Sequence, residues 1–151
     1  MKILSNNKKA LFNYEIVKKY QAGIELKGWE VKSIKSGNVS LRESYVKINK
    51  GEVEIQGMHV SKWPGAGDPN ELDLDRERKL LLNKNEIGQL DSAVKIKGNS
   101  IVPLSLYLDK NLIKIEIALA KGKKKYDKRA KLKEKDQIRE IDRDLKHMGY
   151  N

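Results

Sequence analysis

The chain has 151 residues, 38% of them hydrophobic and 35% charged, with 32 Lys+Arg against 21 Asp+Glu, a formal net charge of +11 and no cysteine. That length suits one domain with an appendage, and the positive excess favours a polyanionic partner, nucleic acid first and an acidic membrane surface second. The lack of cysteine excludes disulfide frameworks, thiolate metal sites and cysteine nucleophiles. The start, MKILSNNKKALF, lacks the apolar run and small-residue cleavage site of a secretory signal. No stretch approaches the roughly 18 apolar residues of a membrane span, so a cytoplasmic location with no membrane partner is expected.

Residues 1–12, polar and basic around Asn6, Asn7, Lys8 and Lys9, read as a flexible arm with little order of its own. From Asn13 to Leu26 the pattern is strand, with a bend or bulge expected at Ala22-Gly23. Gly28 to Ser36 predicts a short helix: Val31 and Ile34 share a face, and Gly37 stands where a helix C-cap glycine would. Residues 39–48 alternate as a strand, Asn49-Lys50-Gly51 is a turn signal, and residues 52–56 alternate strictly, which together predict a hairpin. His59 and Val60 extend it into a loop from Trp63 to Pro69.

Asp73 to Arg78 is densely charged. Asn83 as N-cap and Glu86 three residues on predict a capped helix over 84–95, with Ile87, Leu90, Ala93 and Val94 at helical spacing. Residues 100–108 read as strand, with Pro103 implying an edge or a bulge. After a turn at Asp109-Lys110-Asn111, Ile113, Ile115, Ile117 and Leu119 line one face of a further strand. About six strands and two helices follow from this count. Consecutive hairpins favour an antiparallel sheet, and short strands without an extended apolar edge favour closure. The expected fold is therefore mainly β (α+β), a closed antiparallel barrel with helices packed across its ends, over residues 1–120; an open α+β sandwich is the alternative.

Enzyme motifs are missing: no Walker-type loop, no GxGxxG and no GxSxG. The two histidines, His59 and His147, have no second histidine at ligand spacing, and Arg76, Arg78 and Lys79 interleave with Asp73, Asp75 and Glu77. No catalysis, metal or cofactor is expected. What remains is binding surface. Lys8-Lys9, Lys32-Lys35, Arg42 and Arg76-Arg78-Lys79 are scattered in sequence, yet a small barrel of the OB type can bring such positions onto one face. Simple solubility would also account for them. With aromatics at 6%, recognition of folded RNA by backbone and shape fits better than a row of stacking platforms.

Residues 121–151 form a basic C-terminal tail with 12 Lys+Arg against 6 Asp+Glu, a net +6 of the chain's +11. It opens on Lys121-Gly122-Lys123-Lys124-Lys125-Tyr126-Asp127-Lys128-Arg129, lysines for phosphates and Tyr126 for stacking. Ile138, Ile141, Leu145 and Met148 make one narrow apolar stripe. A lone helix of this length is marginal in water. The tail is thus expected to be disordered when free and helical when docked on RNA, against the alternatives of a solvated end or a helix packed on the body.

Four stretches, in this order and spacing, resemble the small protein B family of tmRNA-binding proteins in bacterial trans-translation. They are Gly28-Trp29-Glu30-Val31-Lys32-Ser33 followed by Gly37; Ser44-Tyr45-Val46; Arg76-Glu77-Arg78-Lys79-Leu80-Leu81-Leu82; and Gly122 to Arg129. The resemblance implies an OB-type barrel without catalysis. It implies binding of the tRNA-like domain of tmRNA and its delivery, with the GTP-bound elongation factor, to the A site of a stalled ribosome. It implies tmRNA contacts at Asn7, Lys8, Lys9, Glu30, Lys32, Arg76, Arg78, Lys79 and Leu81. The tail, Gly122, Lys123, Lys124, Lys125, Tyr126, Asp127, Lys128 and Arg129 with the helix bearing Ile138 and Leu145, would probe the decoding centre of the small subunit and the mRNA channel. A general single-stranded nucleic-acid-binding or ribosome-associated protein is the alternative from the residues alone.

Overall fold

The computed structural model describes residues 1–64 and 73–123. Its elements run β1 (Lys2–Asn6), α1 (Lys8–Asn13), β2 (Tyr14–Ile24), α2 (Gly28–Lys35), β3 (Val39–Ser40), β4 (Tyr45–Asn49), β5 (Glu52–Gln56), β6 (His59–Val60), β7 (Arg78–Leu81), α3 (Lys84–Val94), β8 (Asn99–Asp109) and β9 (Leu112–Gly122). The chain is mainly β with packed helices. None of the helices among the described residues is long and apolar enough to cross a membrane.

One seven-stranded sheet has the order β1-β8-β4-β5-β7-β2-β9, and β8 pairs with β9 as well. All its ladders are antiparallel. The 11-residue β8 shares its length between neighbours: Val46 of β4 pairs with Ile101, and β1 pairs with residues from Ser105 to Leu108. β3 and β6 form a separate two-stranded ladder.

The sheet's interior is lined by Ile55, Leu80, Ile101, Leu106, Ile115 and Ile117, all essentially inaccessible, and closed by Ile34 of α2 and Leu90 of α3. A smaller cluster of Ala10, Val102, Leu104, Ala118 and Ala120 lies under α1. The outer faces of β8 and β9 are therefore buried there too. The bulge foreseen at Pro103 is present, since Pro103 pairs with Ile117 and Ser105 with Glu116, leaving Leu104 extra. That extra residue moves the inward face from Ile101 to Leu106, so the odd-numbered face of β9 meets the core throughout.

Local signals account for much of this. The turn between β4 and β5 has Lys50 at φ 50 and Gly51 at φ 78, the left-handed pair of a type I′ hairpin. Asn83 accepts from the Glu86 N–H at 2.9 Å and Glu86 accepts from the Asn83 N–H at 3.4 Å, the reciprocal capping box at the start of α3. Gly37, at φ 80, follows α2 as expected.

Elsewhere the structure corrects the expectations. Residues 1–13 are not an arm without local structure: they form β1 and α1, because β1 pairs with the free edge of β8 and Ala10 packs into the small cluster. Residues 39–48 divide into β3 and β4, which join different sheets. The chain turns between them, where Ser44 donates from its N–H to the Leu41 carbonyl at 3.1 Å and again from its hydroxyl, with Glu43 at φ 64. The irregularity in β2 falls between Ile16 and Lys18 rather than at Ala22-Gly23. The small residues serve close packing instead: Ala22 is buried, and a Cβ on Gly23 would lie 3.3 Å from the Leu81 Cβ. β7 arises within what reads as a charged segment. β9 continues to Gly122, and the Lys123 N–H donates to the Asn13 carbonyl at 3.0 Å.

Candidate nucleic-acid interface

Asn7 lies between β1 and α1 as the N-cap of the helix. Its side chain accepts from the Ala10 N–H at 3.3 Å as the helix cap and donates from Nδ2 to the Pro103 carbonyl at 2.9 Å. Its own N–H donates to the Leu104 carbonyl at 2.8 Å. The residue is buried, and its bonds lock α1 onto the bulge of β8. Lys8 and Lys9, next in sequence, are exposed. Lys9 lines two neighbouring grooves. One, of about 470 Å³, lies between α1 and the strands β4 and β8 and includes Glu43, Tyr45 and Asn99. The other, of about 580 Å³, is bounded by Ser5, Asn6, Lys8, Lys9, Val39, Ser40 and Arg42. Across their shared rim the Lys9 ammonium meets the Glu43 carboxylate at 3.2 Å.

A second cluster surrounds Glu30. Its carboxylate is inaccessible to solvent and binds the N-cap backbone of its own helix and two arginines from a distant segment. It accepts from the Lys27 N–H at 2.7 Å at the start of α2, from Arg76 Nε at 3.1 Å and Nη2, and from Arg78 Nε at 2.6 Å. Arg78 is equally buried and donates further to the carbonyls of Met58 at 2.7 Å, Arg76 at 3.1 Å and Leu74 at 3.2 Å. Burial alone would push the Glu30 carboxyl up, but the hydrogen bonds from Arg76 and Lys27 and the charge of Arg78 outweigh it, so it sits below its ordinary value. Burial lowers the Arg78 guanidinium from its ordinary value against the opposing pull of Glu30. Glu30 and Arg78 therefore present no atom to a ligand, and of the three charges only Arg76, 23% exposed, reaches the surface.

The other residues singled out in the sequence are spread more widely. Lys32 is exposed on α2. Leu81 is half exposed at the end of β7, beside Gly23 of β2. Lys79 is exposed but pairs with Glu52 at 3.6 Å. Around it the outer face of β5 and β7 is mixed in charge: Glu77 pairs with Lys47 at 3.6 Å and pushes the Glu54 carboxyl up. The acids of the charged segment have partners of their own, Asp75 with His59 at 2.8 Å, Asp73 with the Asp75 N–H at 3.1 Å, and Glu77 with Gln56 at 2.8 Å. Gly122 closes β9, and the Lys123 ammonium donates to the Leu11 carbonyl at 3.2 Å. Lys124 to Arg129, Ile138, Leu145 and the tail helix lie outside the described residues.

The surface cations thus cluster best at Lys8, Lys9 and Arg42, on a scaffold held by Asn7. The model of the SmpB protein family matches residues 4–147. The chain belongs to the SmpB family. Among curated SmpB relatives, the SsrA-binding protein of Fusobacterium nucleatum subsp. nucleatum is 51% identical over 145 residues, 96% of this chain and 97% of that one. The SsrA-binding protein of Coxiella burnetii (strain Dugway 5J108-111) is 50% identical over 143 residues, 95% of this chain and 90% of that one. A solved chain described as "tmRNA-SmpB: a journey to the center of the bacterial ribosome" superposes with a TM-score of 0.66 at 37% identity, covering 80% of this chain and 85% of that one. The SmpB resemblance read from the four stretches therefore holds across nearly the whole sequence. Missed in the sequence were the burial of Arg78 and the pairing of Lys9 with Glu43. The first had a faint signal, since Arg78 and Leu80 are two apart and face the same way; the second joins residues 34 apart and had none.

Proposed function

We propose that this protein is a non-catalytic RNA-binding adaptor of trans-translation. It binds the tRNA-like domain of tmRNA and delivers it, in company with the GTP-bound elongation factor, to the empty A site of stalled ribosomes in the cytoplasm. The observation that carries this reading is the family match over residues 4–147, together with a cationic rim at Lys8, Lys9 and Arg42. The β8–β9 ladder brings the end of the strand order back to β8 and supports an OB-type barrel as the platform. Asn7, Lys8, Lys9, Lys32, Arg76, Lys79 and Leu81 belong to the RNA-binding body, with Glu30 and Arg78 acting through the segment they brace. Gly122 to Arg129, Ile138 and Leu145 belong to the tail that probes the decoding centre and mRNA channel. The tail is disordered when free and helical when bound.

Competition binding tests the body: at physiological salt the protein should prefer tRNA-like RNA to random RNA. A general binder would lose affinity for both equally as salt rises. Truncation after Lys123 tests the tail, because it leaves β9 and its bond to Asn13 intact. The shortened protein should keep its RNA preference and lose the tagging of nascent chains. Loss of RNA binding by the truncated protein would refute the division between body and tail.

A further inference from the structure

We infer that the groove bounded by β1, α1 and β3 is a phosphodiester-binding channel in which Arg42 contacts the RNA backbone directly and Glu43 restrains Lys9. This rests on the RNA-binding reading above and deepens it: Arg42, so far one of several scattered basic positions, gains a backbone contact, and Glu43, which neither the composition nor the family resemblance singled out, gains a restraining role. The groove, of about 580 Å³, is lined by Lys8, Lys9 and Arg42 with the short polar side chains of Ser5, Asn6 and Ser40 over the buried Asn7, and no carboxylate lines it. Such a set of cations and neutral donors matches phosphate oxygens. Among the described residues the side chains of Lys8 and Arg42 have no ion pair, whereas Lys79, Lys47, Arg76 and Arg78 each face an acid. β1 pairs only with β8, and β3 only with β6, so each strand bordering the groove is paired on one side alone among the described residues.

Arg42 is exposed, but its backbone is well held. Leu41 before it is buried, its own N–H donates to the Ser40 hydroxyl at 3.2 Å, and the Ser44 N–H closes the turn onto the Leu41 carbonyl at 3.1 Å. A guanidinium carried on a braced turn loses less freedom on binding than one on a loose loop. Beside it, Glu43 holds Lys9 at 3.2 Å on the groove's rim, so part of that lysine's charge is already neutralised. Adjacent residues should therefore act in opposite directions. An acidic peptide could in principle meet the same cations. RNA is favoured because Asn7, Lys8 and Lys9 are common to this groove and to the proposed RNA-binding body.

The test is filter binding of full-length protein to tRNA-like RNA across a salt series, with folding of each variant checked by circular dichroism. Arg42→Ala should weaken binding about 3- to 10-fold and flatten the salt slope by about one phosphate contact, while Arg42→Lys should keep the slope. Glu43→Gln should tighten binding about 2-fold or more by releasing Lys9, a gain that misfolding cannot produce. Unchanged affinity and slope in Arg42→Ala, or no gain in Glu43→Gln, would overturn the proposal. So would binding of a polyglutamate peptide that depends on Arg42 while RNA binding does not. If wild-type protein fails to prefer tRNA-like over random RNA, the functional reading falls, but the groove stands if the slope on random RNA still depends on Arg42.

Discussion

Glu30 and Arg78 stand 48 positions apart and meet at 2.6 Å with both side chains fully buried. Glu30 caps the first turn of α2, and Arg78 begins β7, so the pair clamps a helix onto the sheet. Arg76 completes the cluster from the connection before β7. Taking charges out of water costs several kcal/mol per ion, which the mutual attraction and the carbonyl bonds of Arg78 offset. A carboxylate beside a proposed RNA interface needs no contact with phosphate on this account. It orders the arginines instead.

Glu30→Gln should destabilise the fold by about 3–5 kcal/mol, because it leaves Arg78 buried without its counter-charge. Glu30 is held below its ordinary value of 4.5 in the folded protein. Its stabilising contribution is therefore present above about pH 4.5 and lost as pH falls through the lower folded value. Urea titrations of both proteins at several pH values check this. Their stabilities should differ most near neutrality and converge on acidification; a gap that stays constant down to about pH 3 would contradict the assignment.

Asn7 makes two separable side-chain bonds, to the Ala10 N–H and to the Pro103 carbonyl. Asn7→Ala should cost about 1–3 kcal/mol, from a lost cap and an unsatisfied carbonyl. Asn7→Asp keeps an acceptor for Ala10 but has no donor for Pro103, so it should recover only the capping part. Thermal unfolding of the three proteins gives the comparison. Equal stability of wild type and Asn7→Ala would place the importance of Asn7 wholly at the interface.

Gly51 and Gly57 have nearly the same backbone, at φ 78 and φ 79, but different surroundings. A Cβ on Gly51 meets nothing within 4 Å, whereas one on Gly57 lies 3.1 Å from the Glu43 carbonyl oxygen. Asn is the side chain that best tolerates this conformation. Gly51→Asn should therefore stay within about 0.5 kcal/mol of wild type, while Gly57→Asn should lose about 1–3 kcal/mol. Chemical denaturation of the two variants decides it, and equal losses would show that backbone strain alone governs both sites.

Elements whose signals are local were legible in the chain. The β4–β5 hairpin follows from alternation around Asn49-Lys50-Gly51, and α3 follows from Asn83, Glu86 and the spacing of Ile87 and Leu90. The bulge in β8 was foreseen because Pro103 cannot donate to a ladder. β1 and β7 were not legible: β1 is a short polar strand that pairs with a sheet edge 100 residues away, and β7 begins with an arginine turned inward. The candidate interface divides in the same way. Lys8, Lys9 and Lys32 were identified as exposed cations and are exposed. Glu30 and Arg78 were identified as contacts and are buried, since nothing in a single sequence tells which of several neighbouring charges will find its partner inside.

By itself the sequence determined a basic, mainly β chain with two capped or glycine-stopped helices, a hairpin, and four motifs specific enough to point to the SmpB family. These are properties of neighbours within a few residues, where propensity, alternation and capping act. Only the tertiary structure decided that Arg78 faces the core, that Asn7 ties a helix to a bulge, and that Glu43 takes Lys9 while the Arg42 side chain has no ion pair among the described residues. Those outcomes depend on which distant groups meet as the sheet assembles, and on the desolvation that makes every buried charge find a partner.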